Sequence, residues 1–121
     1  MDNCVFCKII KGELESKKIY EDEFVLAFLT HGPVSDGHLL VIPKEHCENI
    51  LDISTESLNK VMAVAKMLAL QAIQAGATGV NVLHAAGQDA QQSVFHFHIH
   101  VVPRNPNDGL DLWYQAKIEK K

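Results

Sequence analysis

The segment SVFHFHIHVVP, residues 93–103, has a histidine at every second position from residue 96 to residue 100. Side chains two residues apart lie on the same face of a β-strand. The spacing therefore predicts a strand with His96, His98 and His100 on one face and apolar residues on the other. We expect Pro103 to end this strand, because proline has no N–H to donate to a neighbouring strand.

The histidine face needs an explanation beyond exposure to solvent. Polar side chains on one face of an antiparallel strand commonly contact water, and Ser, Thr, Lys or Glu serve there equally well. Imidazole differs because it can act as acid, base, nucleophile or metal ligand near neutral pH. Neighbouring histidines stand ~7 Å apart along such a strand, close enough to contact one phosphate group or one metal from several sides. The row favours a ligand-binding face.

Length and composition limit the classes of protein that fit. With 121 residues, of which 47% are hydrophobic, the chain is long enough for one domain with its own core. A formal net charge of −4 and the lack of a basic run in the body argue against a nucleic-acid partner. No secretory leader pattern is visible, and no apolar run approaches the ~20 residues that span a bilayer. We predict a cytoplasmic protein without a membrane partner.

The three cysteines are predicted to be thiols. Cys4, Cys7 and Cys47 cannot all pair with one another, and a reducing compartment keeps them reduced. Cys4 and Cys7 form a C-x-x-C pair at the start of a predicted helix, a spacing found in metal sites, in redox pairs and by chance in ordinary helices. Cys47 is better explained as a small buried apolar residue.

The rest of the chain predicts two helices and four further strands. A short helix covers residues 4–11, and a long helix over residues 54–76 has apolar residues at three- and four-residue intervals. The predicted strands cover residues 18–21, 24–29, 38–43 and about 79–84, followed by the histidine strand. Because short turns join most consecutive strands, the expected architecture is an antiparallel α+β domain.

Four blocks of sequence together resemble the histidine triad (HIT) family of nucleotide hydrolases and transferases, in its bacterial Hint-like branch. They are the histidine strand, the segment CVFCKII from Cys4, the turn YEDE from Tyr20, and HLLVIPKEH over residues 38–46. The order and spacing of the blocks make the resemblance specific. It covers most of the chain, from Cys4 to about Arg104.

The resemblance implies a fold and an assembly. The expected fold is a HIT-like α+β domain, with a five-stranded antiparallel sheet, one long helix and one short helix. It would fill residues 1–121 as a single domain, with a core over about residues 4–104 and a C-terminal tail over residues 105–121. Two subunits would pair into a homodimer, and the aromatic side chains of Trp113 and Tyr114 are compatible with a partner surface.

The resemblance also implies a catalytic mechanism. The middle histidine of the family's triad, here His98, attacks the α-phosphorus of a nucleotide derivative and forms a nucleotidyl-histidine that water cleaves. We expect a backbone carbonyl to hold one ring nitrogen of His98, so that the other presents its lone pair. His100 would hold the phosphate oxygens as their charge grows. Ser93 would contact the leaving group, and Gln92 the phosphate.

A structural zinc site is the second implication. In zinc-bearing members of this branch, the first triad histidine joins the cysteine pair and a histidine after Pro-Lys, here His96, Cys4, Cys7 and His46. Four nitrogen and sulfur ligands without an open position are typical of structural zinc. The alternative is a reduced cysteine pair packed against His46 without metal. The remaining histidines are predicted to lie in loops or at strand ends: His31, His38 and His84.

The family binds the nucleoside in an apolar slot, and this chain departs from the family pattern beside it. The residues at the slot positions can equally be core: Val5, Phe6, Ile9, Phe28, Leu29 and Leu40. Thr30 stands where the family has an aspartate that holds the ribose hydroxyls, and Ala85 stands in place of an asparagine. Loss of the carboxylate costs ~1.5 to 3 kcal/mol, or about 10- to 150-fold in binding, unless another group such as His31 compensates.

Several functions therefore fit the sequence. The first is hydrolysis of nucleoside phosphoramidates or related nucleotide conjugates through His98, and dinucleoside polyphosphate hydrolysis is its alternative within the family. A zinc-stabilised nucleotide-binding or adaptor protein with little turnover fits the changes at Thr30 and Ala85. A three-histidine metal hydrolase fits less well, because a structural site would use His96.

Overall fold

A five-stranded antiparallel sheet runs through the computed structural model, which describes residues 3–112. Its strands are β1 (Lys18–Glu21), β2 (Val25–Leu29), β3 (Leu39–Pro43), β4 (Gly79–Leu83) and β5 (Ile99–Arg104). The helices are α1 (Val5–Lys11) and α2 (Thr55–Gln74), and a short 3-10 turn covers Gln88–Ala90. The strand order is β1-β2-β3-β5-β4, so the histidine strand lies between β3 and β4. The predicted α+β fold is confirmed.

The short helix α1 is capped at both ends. Cys4 caps its start, because its backbone is extended and its Sγ accepts a hydrogen bond from the Cys7 N–H at 3.3 Å. Gly12 ends the helix with φ 81°, a left-handed conformation that glycine adopts without a Cβ penalty. Phe6 and Ile9 are buried against the sheet. Helix α1 thus anchors the cysteine pair on one sheet face.

The long helix α2 covers the opposite face of the sheet. Ser54 caps it, since its Oγ accepts a hydrogen bond from the Ser57 N–H at 3.1 Å. The buried residues of the helix recur at three- and four-residue intervals, as predicted: Val61, Val64, Ala65 and Leu68. They pack against the sheet residues that point away from α1.

The histidine region separates these two faces as its spacing predicts. Phe97, Ile99 and Val101 belong to the apolar cluster under α2. The histidines between them point to the α1 side, where His98 lies edge-on to the Phe6 ring with centroids 5.1 Å apart. The period-two pattern therefore correctly predicted which side chains share a face, although His96 and His98 are buried as well.

The extent of the histidine strand differs from the prediction at both ends. Pairing with β3 and β4 begins only at Ile99, so His96 and His98 precede the paired residues. In that segment the Phe97 N–H donates to the Cys47 carbonyl at 2.7 Å instead of to a neighbouring strand. A hydrogen bond to a loop therefore replaces the strand-to-strand hydrogen bonds in this segment. The spacing of the residues cannot predict such a contact.

The prediction that Pro103 ends the strand is wrong, because β5 continues to Arg104. Strand β3 pairs with β5 only through residues 99–101, so Pro103 has a strand partner on one side, in β4. A proline is tolerated where one strand edge needs no N–H donor. The remaining strand bounds agree with the predictions to within about one residue.

Two predictions concern features that the described residues do not test. Trp113 and Tyr114 lie outside residues 3–112, and the homodimer stays a prediction. Within residues 3–112, no helix combines the length and apolar character needed to cross a membrane.

Candidate functional site

A cavity of about 370 Å³ lies on the α1 side of the sheet, beside the histidines. Helix α1 and the segment after it form one wall, and β2, β3 and residues 93–100 form the others. It brings together these predicted site residues: Phe6, Ile9, Phe28, Thr30, Leu40, Ser93, His98 and His100. His31 lines it as well, together with Glu15, whose carboxylate the sequence analysis did not consider.

Leu29 does not line this cavity, which corrects its assignment to the nucleoside slot. Successive strand residues point to opposite faces. Phe28 therefore faces α1, whereas Leu29 packs against the cluster under α2. Leu29 lines a separate, larger groove of about 510 Å³ on that side, whose lining residues include no histidine among the residues described. The chemistry-bearing side chains thus belong to the smaller cavity.

Gln92 is buried behind the cavity, with its amide fully used by the protein. Its Oε1 accepts hydrogen bonds from the Gly87 N–H at 2.8 Å and from Asn49 Nδ2 at 3.2 Å. Its Nε2 donates to the carbonyls of Glu48 at 2.7 Å and Val94 at 3.0 Å. A glutamine amide offers two donors and two acceptor lone pairs. The observed bonds leave none for a phosphate, so Gln92 supports the loop before the histidines.

The ring of His98 lines the cavity and is held by the backbone through one nitrogen. Its Nδ1 lies 2.7 Å from the His96 carbonyl, which can only accept a hydrogen bond. The hydrogen of the neutral ring is therefore on Nδ1, and Nε2 carries a lone pair. Burial lowers the pKa of His98, while the hydrogen bond to the His96 carbonyl opposes this effect. The ring is thus held neutral and oriented.

Two histidines predicted to be ordinary strand-end residues contact this group. His38 is buried, and its Nε2 lies 2.9 Å from His100 Nδ1. His84 accepts the Ile50 N–H at Nε2 and lies 3.0 Å from the His98 carbonyl through Nδ1. The sequence analysis did not assign these two histidines to the site because it did not predict the strand order. His38 precedes β3 and His84 follows β4, and these are the two strands that flank β5. Their position at strand ends was visible, but the strand order was not.

The four predicted metal ligands lie together at the start of α1. Their ligand atoms are within 4.8 Å of one another: Cys4, Cys7, His46 and His96. Sulfur-to-nitrogen distances are 3.3 Å for Cys4 to His96, 3.3 Å for Cys7 to His46 and 3.6 Å for Cys7 to His96. Tetrahedral zinc with Zn–S ~2.3 Å and Zn–N ~2.0–2.1 Å requires such distances to be ~3.6 Å. The donor set fits zinc.

The protonation of this cluster also fits a cation. His96 Nε2 lies 2.8 Å from the Pro43 carbonyl, which places the ring hydrogen on Nε2 and a lone pair on Nδ1, toward the thiols. Burial lowers the pKa of His96 to about 4, so the ring is neutral near pH 7. Burial raises the pKa of the Cys7 thiol, and its hydrogen bond to Cys4 raises it further. A bound cation would offset that penalty.

Phe6 connects the cysteine cluster to the cavity. It lies between Cys4 and Cys7 in the sequence, and its ring packs edge-on against both His96 and His98, at centroid distances of 5.8 and 5.1 Å. The same ring contacts Phe28 at 5.5 Å. The position of this cavity wall therefore depends on the helical turn that holds the cysteines.

Known proteins align with most of the length of this chain. The HIT domain profile matches residues 11–107. Protein hit of Bacillus subtilis is 46% identical over 120 residues, which are 98% of this chain and 83% of that protein. The adenosine 5'-monophosphoramidase of Schizosaccharomyces pombe is 42% identical over 110 residues, 91% of this chain and 80% of that protein.

A solved structure matches the fold equally well. The crystal structure of a Zn-bound histidine triad family protein from Mycobacterium smegmatis superimposes with a TM-score of 0.87 at 40% identity, covering 92% of this chain and 81% of that one. The domain match spans most of the chain, and the relatives align over about four-fifths of their length. The chain therefore belongs to the histidine triad (HIT) family.

Proposed function

We propose that this protein hydrolyses nucleoside phosphoramidates or related nucleotide conjugates at the α-phosphorus. Membership of the HIT family supports the proposal, as does 42% identity to a yeast protein named adenosine 5'-monophosphoramidase. The observation that carries it is the His98 ring, which lines the cavity with its hydrogen held on Nδ1 by the His96 carbonyl. A neutral imidazole with one free lone pair is a competent nucleophile near neutral pH.

The proposed reaction has two displacements at phosphorus. In the first, the Nε2 lone pair of His98 forms an N–P bond, and the P–N bond of the substrate breaks. The amine leaves with the bonding electrons and takes up a proton from water, either directly or through the Ser93 hydroxyl, which regains a proton from the same water. In the second, water attacks phosphorus, the bond to His98 breaks, and a nucleoside monophosphate and a proton are released. Each displacement is easier than a single direct one.

His100 and Ser93 are proposed to act on the two sides of the reacting phosphorus. Both line the cavity with His98. His100 would donate to the non-bridging oxygens, whose charge grows as the N–P bond forms. Ser93, whose side chain is exposed at the cavity, would contact the leaving group. Gln92 would act indirectly, because its four hydrogen bonds position the loop that leads into these residues.

The nucleoside is proposed to bind the apolar part of the cavity, away from the histidines. Phe6, Ile9, Phe28 and Leu40 form a wall that suits a planar base. Thr30 offers a hydroxyl in place of a carboxylate at the sugar. We therefore propose that the preference for ribonucleotides is weaker than it would be with an aspartate there.

The four-residue cluster is proposed to bind structural zinc through Cys4, Cys7, His46 and His96. The sulfur-to-nitrogen distances and the lone pair of His96 support this assignment. Bound zinc would supply a fixed cross-link between α1 and the sheet, and it leaves the chemistry to the cavity residues. The homodimer and the cytoplasmic location are retained as part of the proposal.

A second candidate is a nucleotide-binding protein with little turnover. The neutral side chain of Thr30 at the cavity favours it, because weaker hold on the sugar reduces the positioning of the phosphate. A dinucleoside polyphosphate hydrolase would use the same histidines, and substrate comparison separates it from the first proposal.

Intact-mass measurement tests the covalent mechanism. The protein is mixed with a nucleoside phosphoramidate, and a mass increase of one nucleotidyl group is expected. His98→Asn is the matched variant, because an asparagine amide still donates to the His96 carbonyl but offers no nucleophile; we expect it to fold normally without an adduct. An adduct on the variant, or neither adduct nor turnover with the parent protein, contradicts the proposal. If the parent protein gives neither adduct nor turnover but still binds nucleotides, the result supports the nucleotide-binding protein with little turnover.

A further inference from the structure

His38 and His100 contact each other through ring nitrogens at the edge of the cavity. His38 Nε2 lies 2.9 Å from His100 Nδ1, with ring centroids 5.2 Å apart. One nitrogen must carry the hydrogen and the other must accept it. The two arrangements differ in what His100 offers the cavity, since one leaves its Nε2 as a donor and the other as an acceptor.

A main-chain donor decides between the two arrangements. The Val34 N–H donates to His38 Nδ1 at 3.2 Å, so that nitrogen presents its lone pair and carries no hydrogen. A neutral imidazole has a single N–H, which in His38 must then be on Nε2. His38 Nε2–H therefore donates to His100 Nδ1, and the hydrogen of the neutral His100 ring lies on Nε2.

We infer that His38 is a positioning residue, which holds His100 in the Nε2–H tautomer and so makes it a hydrogen-bond donor to the phosphate. His100 lines the cavity, and because Nδ1 is bound to His38, Nε2 is the nitrogen left for a ligand. The inference rests on the proposed function for the identity of the ligand. The tautomer itself is a property of the free protein.

Burial and the neighbouring rings favour the neutral form of His100. Burial lowers the pKa of His100 to about 4, and the nearby rings of His98, His38 and His84 contribute in the same direction. A charged His100 would also place its own Nδ1–H against the Nε2–H of His38. The site thus offers the phosphate a donor of fixed direction, which suits charge that develops during the reaction.

Nitrogen-15 NMR of the histidine rings in the full chain tests the tautomer near neutral pH. We expect the Nε2–H pattern for His100 in the parent protein and its loss in His38→Leu, which has no donor for Nδ1. His38→Gln is the conservative variant, because its amide can still donate, and it should retain the pattern. His31→Gln changes a histidine elsewhere on the cavity and should leave the His100 signals unchanged.

Kinetics with a nucleoside phosphoramidate test the consequence. Because the donor acts on developing charge, His38→Leu should lower kcat by about 10- to 100-fold with a much smaller change in KM, and His38→Gln should recover most of the loss. A general distortion of the cavity would raise KM as well and would not be rescued by glutamine.

Each outcome bears on the inference. An Nδ1–H pattern for His100 in the parent protein overturns it, and so does an unchanged pattern or unchanged kcat in His38→Leu. If the leucine variant does not fold, the spectra of the parent and of His38→Gln decide. A parent protein with the Nε2–H pattern but no turnover supports the tautomer assignment while the proposed function fails.

Discussion

Replacing Gln92 by glutamate tests how much the buried amide contributes to the fold. The change keeps the size of the side chain and the acceptor oxygen that Gly87 and Asn49 contact. It replaces the Nε2 donor by a second oxygen, which then faces the carbonyls of Glu48 and Val94 at 2.7 and 3.0 Å. A carboxylate there is buried against two acceptors, so the side chain should take up a proton in the folded state.

The size of the effect follows from the protonation cost. Once protonated, the new carboxyl group regains one of the two lost donors, and the other costs ~1 kcal/mol. Holding the proton costs ~1.36 kcal/mol for each pH unit above the unfolded pKa of ~4.3. The expected loss of unfolding free energy is therefore about 2.5 kcal/mol near pH 5.5 and up to about 5 kcal/mol near pH 7.5.

The difference in proton binding between the folded and unfolded states determines how the stability of the Gln92→Glu variant changes with pH. The folded-state pKa of the new carboxyl is raised, so the folded protein binds more protons than the unfolded chain between the two pKa values. Stability relative to the parent should then fall as pH rises from the unfolded pKa, and level off above the folded one.

Urea denaturation of the parent and variant at both pH values measures the difference. The matched control is Gln91→Glu, which makes the same change on the exposed neighbouring residue and should alter stability by less than ~0.5 kcal/mol. A loss at position 92 that is below ~1 kcal/mol, or that is equal at both pH values, would contradict a buried and fully bonded amide.

Three further predictions address the helix, the cluster and the cavity. Gly12→Ala should cost about 1 kcal/mol in urea denaturation, because φ is 81° there and nothing lies within 4 Å of the added Cβ; Gly32→Ala, with equal space and no positive φ, is the control, and equal losses would contradict the conformational cause. Cys7→Ser should lose most of its zinc by metal analysis, whereas Cys47→Ser should keep it; as much zinc in the first as in the parent excludes the ligand set. Thr30→Asp should raise the ratio of kcat/KM for ribonucleotide over 2'-deoxyribonucleotide substrates by about 10- to 150-fold, and an unchanged ratio places the sugar elsewhere.

The sequence predicts most of the fold because its apolar residues recur at regular intervals. The alternation from His96 to Val101 separates the two sheet faces, and the three- and four-residue spacing in α2 marks its buried side. The predicted end of the histidine strand at Pro103 was wrong, because the prediction did not consider which strands lie on either side of the proline. Whether Pro103 needs an N–H donor depends on which strands flank it, and that is a property of strand order.

The site was harder to predict where contacts cross the sheet. His38 and His84 stand 46 residues apart in sequence, yet each meets a histidine of the central segment. Nothing in their local sequence distinguishes them from other strand-end histidines. Leu29 fits the apolar pattern of the slot. It lies under α2 because it follows Phe28 in the strand and so points to the opposite face of the sheet. Gln92 was predicted to contact phosphate, but its amide bonds to Gly87 and Val94 nearby in the sequence and to the distant segment 48–49.

The rings around the cavity take their partners from peptide groups and from one another. The carbonyl of Pro43 and the N–H groups of Val34 and Ile50 orient three of them. A peptide group is present whichever side chain a position bears, so mutation at these three places preserves the orienting contact, except where proline would remove an N–H. The side chains at these three positions can therefore change without altering which nitrogen of His38, His84 or His96 carries the hydrogen.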